Sequence, residues 1–264
     1  MAPAEKGITN FPVYTFDGRD FCKTVVDVIQ EIPLQIFFNE RHLVTIACTG
    51  MHKDELAVGY LKSEGLVRSF SDIRDISIDK GSGIIHILSA AAMAPDAAND
   101  PFRGNIASSG ARSRLRGDHQ SPSMPMITNE LQMSPEQVLQ LMDRFIDLCR
   151  LHAVTRGTHG AALTDGAQIL VVREDIGRHN ALDMLAGHAL LHHWDCSDKA
   201  ILRTGRVSTE IVHKVWNLGI PLVVSLAAPT SRAIEMAIEA GITLIGAVRD
   251  TSLKVYTHER RVGL

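Results

Sequence analysis

Alternation of apolar and polar residues predicts two β-hairpins and one helix in the first third of the chain. Residues 32–49, IPLQIFFNERHLVTIACT, contain two β-rich runs that flank the short turn candidate Asn39-Glu40-Arg41. Residues 73–90, IRDISIDKGSGIIHILSA, contain a second pair of runs around Gly81-Ser82-Gly83. Between them, residues 52–65 carry apolar positions at helical spacing and end in a glycine, which predicts a helix.

The composition then changes, because residues 91–133 are rich in Ala, Ser, Pro, Met, Gly and Arg, and we predict a long mobile loop there. A helix is predicted from Ser134, which suits an N-cap, with Pro135 in the first turn and Gln137 completing a capping box. Its apolar stripe consists of Val138, Leu141, Met142, Phe145, Ile146 and Cys149. Cys149 is therefore predicted to be a buried core thiol.

Strands and helices alternate from residue 160 onward. GAALTD and QILVVRE form a predicted strand pair around Asp165-Gly166, and the strands KAILRT, PLVVSL, ITLIGAV and LKVYTH follow, the first three each preceded by a predicted helix. This alternation predicts a sheet with helices on both faces. We therefore divide the chain into a β-rich N-terminal α+β domain, residues 1–130, which ends in the long loop, and an α/β domain, residues 131–264, with three α/β/α layers.

Composition and charge narrow the class of protein. The 264 residues are 45% hydrophobic with a net charge of −3, which allows a sizeable core and argues against nucleic-acid binding. The four cysteines, Cys22, Cys48, Cys149 and Cys196, form no C-x-x-C pair and suit a reducing compartment. The sequence shows neither a signal-peptide pattern nor an apolar run of roughly 20 residues. We expect a cytoplasmic protein that contacts no membrane.

Three predicted strands run into helices through polar junctions: QILVVRE into DIGRHNALD, KAILRT into GRVSTE, and PLVVSLAA into PTSRA. In a parallel sheet these junctions meet at one edge, where open α/β sheets bind ligands. Helix N-termini there favour anions, arginines add positive charge, and glycines permit close approach. The residues of this kind, with hydroxyl groups added, are Gly177, Arg178, Gly205, Arg206, Ser208, Thr230, Ser231 and Arg232. Together they predict a site for an anionic ligand.

Two histidines lie close to these junctions in sequence. His179 follows Arg178 in the first turn of a predicted helix, and His159 precedes a predicted strand. Each is either a structural hydrogen-bonding residue or a member of the site. His188, His192 and His193 lie late in a helix, where their positive charge would favour its C-terminal dipole.

Five stretches in order resemble the formate dehydrogenase accessory protein family, FdhD, over residues 32–260. They are PLQIFFNERHLVTIACTGMHKDELAVGYLKSEG, TRGTHGAAL, VVREDIGRHNALD, RTGRVSTEIVHKVWNLGIPLVVSLAAPTSRAIEMAIEAGITLIGAVR and VYTHER. The resemblance implies a sulfurtransferase that carries sulfur from a cysteine desulfurase to the molybdenum cofactor of a formate dehydrogenase apoenzyme. It also implies binding of that cofactor in its bis(molybdopterin guanine dinucleotide) form, a cytidine-deaminase-like second domain, and a homodimer as one compatible assembly.

The family's cofactor-contacting stretch maps by this resemblance onto Ala247, Val248, Arg249, Asp250, Thr251 and Ser252. This turn keeps one arginine but has less glycine and less positive charge than is usual in the family. In the junction DIGRHN, Arg178 would pair with phosphate, and Asp175 would orient Arg178 or accept from a base or pterin edge. His179 would be a further hydrogen-bonding partner.

The sequence departs from the family at the reactive element, a C-G-x-C-G-like motif after a Ser-rich stretch. Here the stretch reads NIASSGARSRLRG, with Ser108 and Ser109 present but Gly110 and Ser113 at the cysteine positions. Neither residue supplies the thiolate that persulfide chemistry requires. Cys48, before a glycine and a helix start, is the remaining candidate, and an inward-facing strand residue is the alternative reading of it.

Two functions therefore stay open. One is sulfur transfer to the molybdenum cofactor, as in the family. The other is a cofactor-binding chaperone or carrier without sulfurtransferase activity, because the cysteine pair is missing. A zinc deaminase would require H-x-E and P-C-x-x-C, and a Rossmann dehydrogenase would require G-x-G-x-x-G after a strand; the sequence contains none of these motifs. We expect no metal bound directly by the protein.

Overall fold

The computed structural model of the chain describes residues 7–79, 83–90 and 124–263, and the backbone alone of residues 105–106. The N-terminal part contains β1 (Ile8–Phe16), β2 (Phe21–Ile29), β3 (Ile32–Phe38), β4 (Arg41–Cys48), α1 (Lys53–Ser63), β5 (Ile73–Asp79), β6 (Ile84–Ser89) and β7 (Asn105–Ile106). The strands of both predicted hairpins and the helix between them are confirmed, whereas Gly81 and Ser82 of the second predicted turn lie outside the described residues. The predicted loop residues 91–104 and 107–123, with Gly110 and Ser113, lie outside the described residues.

Five of these strands form one sheet in the order β5-β6-β3-β4-β7. The β3–β4 turn has positive φ at both Asn39 (48°) and Glu40 (65°), the backbone that a two-residue hairpin requires. Alternate residues of β3, Leu34, Ile36 and Phe38, are buried against α1. The period of two in the sequence thus places one face of the sheet on the core.

Strands β1 and β2 form a separate two-stranded hairpin that the sequence analysis did not predict. They pair in register from Ile8 opposite Ile29 to Phe16 opposite Phe21. Most of their side chains are exposed, including Phe11, Tyr14 and Val25. Ile29 packs near Gly157, which places the base of the hairpin beside α3.

The C-terminal part contains α2 (Pro135–Leu148), α3 (Arg150–Thr155), β8 (His159–Thr164), β9 (Ile169–Asp175), α4 (Arg178–Leu191), β10 (Ala200–Arg203), α5 (Thr209–Leu218), β11 (Leu222–Ser225), α6 (Ser231–Ala240), β12 (Thr243–Arg249) and β13 (Ser252–Thr257). The capping box at Ser134 and Gln137 is confirmed. The predicted helix from Ser134 is interrupted at Cys149, where α2 ends and α3 begins. Cys149 is buried as predicted, whereas Ile146, predicted in the apolar stripe, is 45% exposed.

The second sheet has six strands in the order β13-β12-β11-β10-β8-β9. Strands β10, β11 and β12 are parallel, whereas β8 pairs antiparallel with both β10 and β9. The predicted strand pair around Asp165-Gly166 is the antiparallel pair β8 and β9. Because β8 is antiparallel to both β10 and β9, strand β9 runs in the same direction as β10 and ends at the same edge.

Three layers build this part, as predicted. Helices α4, α5 and α6 pack on one face of the sheet through residues such as Leu185, Ile211 and Ala237. Helix α2 packs on the other face through Val138 and Phe145. The predicted boundary at residues 130 and 131 falls in the extended segment before α2. None of the described helices is both long and apolar enough to span a membrane.

Helix α1 packs directly on α4 and joins the two parts of the chain. Met184 of α4 belongs to the core beneath the N-terminal sheet. The helices approach so closely at Gly59 and Gly187 that a Cβ on Gly59 would lie 1.6 Å from the carbonyl oxygen of Asp183. Helix α4, which begins with Arg178 and His179, is thus held against the N-terminal part of the chain.

Candidate functional site

Four strands of the second sheet, β9, β10, β11 and β12, end at one edge, and β8 begins there. The junctions after β10 and β11 run side by side, because Val207 and Pro229 form a parallel bridge and the Thr230 amide donates to the Val207 carbonyl at 3.0 Å. The Thr204 amide donates to the Gly160 carbonyl at 3.1 Å and ties the start of β8 to this edge. The sequence-predicted junctions therefore do meet at one edge.

Two arginines of this edge lie side by side without an acid. Arg203 is 2% exposed, its Nε donates to the Gly205 carbonyl at 3.1 Å, and no described residue accepts from its Nη1. The Nε of Arg178 is also buried without a described partner. A Cβ on Gly205 would lie 3.1 Å from Cβ of Arg178 and 3.3 Å from Nη2 of Arg203, so both side chains converge there.

No carboxylate of the described residues forms an ion pair with either guanidinium, although the charge of Arg178 acts on Glu210 at longer range. Burial, and then the charge of Arg178, lowers the pKa of Arg203 to about 9, which leaves it cationic at neutral pH. Buried like charges are costly unless an anion joins them. The pair is therefore suited to bind phosphate or another oxyanion.

His159 stands at the beginning of β8 beside this pair. Its Nδ1 lies 3.3 Å from the hydroxyl of Thr204. Burial, followed by the charges of Arg203 and Arg178, lowers the pKa of His159. The imidazole is therefore neutral near pH 7 and adds a hydrogen-bonding group rather than a charge.

His179 and Glu210 face each other across the first turns of α4 and α5. His179 is 2% exposed, and its Nε2 lies 3.3 Å from Oε2 of Glu210 without hydrogen-bond geometry. Burial, then the charges of Lys214 and Arg178, lowers the pKa of His179 to about 3. Burial raises the pKa of Glu210 to about 7 against the opposing charge of Lys214. The two groups are thus a neutral imidazole and a readily protonated carboxyl, not a fixed ion pair.

A buried ionic cluster lies behind Glu210. The Nζ of Lys214 donates to both oxygens of Asp183, at 2.9 and 2.8 Å, and lies 3.4 Å from Oε1 of Glu64. Burial opposes the charge of Lys214, but Asp183 and Glu64 outweigh it and raise the pKa of the amine. Because Lys214 is already held by these two carboxylates, it does not neutralise Glu210 fully.

Asp175 has a structural role that differs from the one predicted. Its carboxylate accepts from the amide and hydroxyl of Thr49, both at 2.9 Å, from the amide of Gly177 at 3.1 Å and from Nδ2 of Asn180 at 2.7 Å. These four donors occupy both oxygens, so Asp175 neither orients Arg178 nor faces a ligand. It ties the loop after β4 to the start of α4, across 126 residues of sequence for the Thr49 contacts.

The side chains of the remaining junction residues differ in their exposure and in their hydrogen bonds. Arg206, Ser231 and Arg232 are exposed, and the Thr230 hydroxyl accepts from the Ala233 amide at 3.3 Å as the cap of α6. The hydroxyl of Ser208 is buried with no partner among the described residues. Arg206 and Ser208 therefore have groups free for a ligand, whereas Thr230 is already used by the helix.

The turn from Ala247 to Ser252 lies at the same edge, after β12. Ala247 has a positive φ of 51° within a β-bulge, and its amide donates to the Ala227 carbonyl at 3.2 Å. Nη1 of Arg249 donates to the carbonyls of Leu226 and Val248, at 2.8 and 2.7 Å. Val248 is buried, whereas Arg249 and the three residues after it are exposed. The turn thus offers an accessible, backbone-held arginine beside the β11 junction.

The four thiols have contrasting environments. Cys48 is fully buried, and burial, followed by the charge of Asp175, raises the pKa of its thiol to about 12. Burial likewise raises the pKa of Cys149 to about 12 and that of Cys196 to about 11. Cys22, on β2, is exposed. Cys48 therefore has the environment of an inward-facing strand residue, with little thiolate at neutral pH.

A second polar cluster lies between α1 and α4, where Glu55, His188 and His192 place ligand atoms within 4.8 Å of one another. Arg173 already occupies this carboxylate, with Nη2 donating to Oε1 of Glu55 at 2.7 Å. Burial raises the pKa of Glu55, but hydrogen bonds from Arg173 and His188 outweigh it and lower that pKa overall. A guanidinium at this position repels a cation, so we interpret the cluster as a structural contact between helices.

A cavity of about 660 Å³ lies on the other side of the Thr49 loop, lined in part by His52, Lys53 and Ile78. None of its lining residues has a buried polar atom that lacks a partner within the described chain. Six of the seven such atoms belong instead to Arg178, His179, Arg203, Ser208 and Glu210. We therefore place the candidate site at the sheet edge rather than in this cavity.

Arg203, Glu210 and Lys214 were not predicted from the sequence as site residues. Arg203 closes the apolar strand KAILRT and was included in a buried strand, while Glu210 and Lys214 lie within a helix. The spacing of Glu210 and Lys214, four residues apart on one helix face, was the available signal. Their burial depends on α1 and α4 and is not visible in the local sequence.

Comparisons with known proteins agree on one group. A family model described as the FdhD/NarQ family matches residues 29–263. A sulfur carrier protein FdhD from Bacillus subtilis (strain 168) is 35% identical over 252 residues, 95% of each chain. One from Listeria innocua is 36% identical over 255 residues, 95% of this chain and 97% of the relative.

A crystal structure of a putative formate dehydrogenase accessory protein from Desulfotalea psychrophila has the same fold. It superposes with a TM-score of 0.78 and 20% identity, over 97% of this chain and 99% of that one. At this level of identity the likeness bears on the fold alone. A relation of the second domain to cytidine deaminases stays a prediction.

Proposed function

The chain belongs to the FdhD/NarQ family, and on that premise we propose that it is an accessory protein of formate dehydrogenase maturation that binds the bis(molybdopterin guanine dinucleotide) form of the molybdenum cofactor. The cofactor is a client rather than a resident group. In the family's chemistry, sulfur would pass from a cysteine desulfurase to this client before it enters the formate dehydrogenase apoenzyme. Those two proteins, and a second copy of the chain, are the proposed partners.

The observation that carries the proposal is the pair of half-buried Arg178 and buried Arg203, with which no carboxylate of the described residues forms an ion pair. A dinucleotide cofactor contains several phosphates, and bidentate guanidinium contacts suit them. Exposed Arg206 and Arg249 lie in the adjacent junction and turn, where they would add further positive charge. This arrangement supports the phosphate part of the ligand more directly than any other part.

A second candidate function is a cofactor carrier without sulfurtransferase activity. The environments of the thiols favour it, because Cys48, Cys149 and Cys196 are buried with raised pKa values. Cys22 is exposed but lies on the β1–β2 hairpin rather than among the site residues. The positions of the family's reactive cysteines, Gly110 and Ser113, are outside the described residues and carry no thiol.

The test is equilibrium binding of GDP and of the isolated cofactor to the wild-type protein and to Arg178→Ala. We expect wild-type binding and at least a ten-fold loss of affinity in the variant, because one of two phosphate-facing guanidinia is removed. Arg144→Ala, which removes an exposed arginine of α2 on the other face of the sheet, is the matched control and should bind normally. Equal affinity of wild type and Arg178→Ala would contradict the assignment of the site.

A further inference from the structure

The candidate site has a second half that presents acceptors rather than positive charge. Oε1 of Glu210 is buried and receives no hydrogen bond from any described residue. The hydroxyl of Ser208, two residues earlier at the N-cap of α5, is in the same state. Both ring nitrogens of His179 also lack hydrogen-bond partners within the described chain. Glu210 Oε1 can only accept, the Ser208 hydroxyl can accept or donate, and the neutral His179 ring has one donor and one acceptor nitrogen. Buried polar groups of this kind are costly unless a ligand satisfies them.

The neighbours of Glu210 hold its carboxyl in place without satisfying it. On one side His179 approaches Oε2 at 3.3 Å, and on the other Lys214 is held by Asp183 and Glu64. Oε1 is therefore left for a donor from outside. Burial raises the pKa of Glu210 to about 7, so hydrogen-bond donors that favour the ionised form would gain a strong acceptor.

A ligand that fits both halves of the site has an anionic group that binds Arg178 and Arg203. It also has neighbouring N–H donors that bind the acceptor oxygens of Glu210 and Ser208. The amino-oxo pyrimidine edge shared by guanine and pterin presents a ring N–H and an adjacent exocyclic NH₂ in one plane. Adenine presents a bare ring nitrogen beside its amine, and hypoxanthine lacks the exocyclic amine. A carboxylate oxygen distinguishes these edges because it only accepts.

We propose that Glu210, assisted by Ser208, recognises the amino-oxo pyrimidine edge of the bound cofactor and so determines specificity for it. The inference rests on the proposed function, because it assumes that the ligand brings this heterocycle to the sheet edge. Guanine and pterin are two sources of the same edge within one cofactor. Recognition by Glu210 goes beyond the phosphate binding assigned to the two arginines.

The experiment measures affinities of the full chain for GDP, IDP and ADP, and for pterin and its 2-oxo analogue lumazine. Each is compared between wild type, Glu210→Gln and the exposed control Glu239→Gln. Glutamine keeps the size of the side chain, so folding is preserved, but it loses the charge-assisted acceptor. Inorganic pyrophosphate reports the arginine half separately.

We expect wild type to prefer GDP over IDP and ADP, or pterin over lumazine, by ten-fold or more. In Glu210→Gln that ratio should fall to about two-fold while pyrophosphate affinity is unchanged, with Glu239→Gln behaving as wild type. A GDP preference identifies guanine as the source and a pterin preference identifies pterin. An unchanged ratio in Glu210→Gln, with nucleotide still bound, would overturn this inference alone. Absence of GDP, pterin and pyrophosphate binding in wild type would overturn the proposed function as well.

Discussion

Gly59 in α1 and Gly187 in α4 lie where the two helices cross, and neither position has room for a side chain. A Cβ on Gly59 would lie 2.6 Å from the amide nitrogen of Gly187, and a Cβ on Gly187 would lie 1.9 Å from the carbonyl oxygen of Glu55. The contact brings the helix of the N-terminal part against the helix that begins with Arg178. Backbone packing at this crossing thus sets the geometry of the candidate site.

Alanine at this crossing should be strongly destabilising. We expect Gly59→Ala to lower the free energy of unfolding by about 3 kcal/mol or more, because the obstructing atoms are backbone and cannot rotate away. The measurement is chemical denaturation followed by circular dichroism. Gly219→Ala is the control: Gly219 has φ 70° with nothing within 4 Å, so only backbone strain of about 1 kcal/mol applies. Equal losses in the two variants would contradict the close approach of α1 and α4.

Arg203 and Arg261 are both buried arginines but should respond oppositely to replacement by methionine. Arg261 donates Nε to the Asn129 carbonyl and Nη1 to the Gly241 carbonyl, both at 2.8 Å, so Arg261→Met should cost several kcal/mol of stability. Arg203→Met removes an uncompensated buried charge and should leave the melting temperature unchanged or raised.

Affinity for GDP should rank the same two variants in the opposite order from stability. Arg203→Met is expected to lose at least ten-fold in affinity for GDP, whereas Arg261→Met, measured at a temperature where it is folded, should keep it. The readouts are thermal denaturation and titration calorimetry. A large loss of stability in Arg203→Met with normal GDP affinity would assign Arg203 to the core instead of the site.

Most regular elements were predictable because their signals are local, whereas the exposed hairpin β1–β2 was not predicted. The alternation in β3 and the glycines that end α5 and α6 at Gly219 and Gly241, both in the left-handed conformation, were sufficient. The role of Asp175 was not predictable, because its carboxylate is satisfied by Thr49 from another part of the chain. The same holds for Glu210, whose burial depends on helices distant in sequence. The site's edge could therefore be predicted, but its buried half could not.

The raised pKa of Glu210 gives a pH dependence of stability with a defined sign. Between its ordinary value of 4.5 and about 7, the folded protein holds a proton that the unfolded chain releases, so stability falls as pH rises through this window. The loss is at most about 3 kcal/mol. Glu210→Gln cannot lose stability in this way. The melting temperature of Glu210→Gln minus that of wild type should therefore increase by several degrees between pH 5 and pH 8.

Glu239→Gln controls for the change of charge, since Glu239 is exposed on α6. The difference in melting temperature between this variant and wild type is the reference for Glu210→Gln at each pH. Differential scanning calorimetry at four or five pH values measures both variants. A pH-independent difference for Glu210→Gln would show that Glu210 is ionised normally in the folded protein.

Thiol accessibility decides which cysteine is available to accept sulfur. Cys22 is exposed, whereas Cys48, Cys149 and Cys196 are buried. Burial raises the pKa of Cys48 to about 12, so its thiol is protonated at pH 8. An aromatic disulfide reagent should therefore titrate one thiol per native chain and four in denaturant, and Cys22→Ser should remove the native reaction.

Incubation with a cysteine desulfurase and cysteine, followed by peptide mapping, extends the test. A persulfide on Cys22 would make the hairpin the sulfur acceptor, whereas one on Cys48 would contradict its burial. A protein that binds GDP but gains no sulfur would be a cofactor carrier.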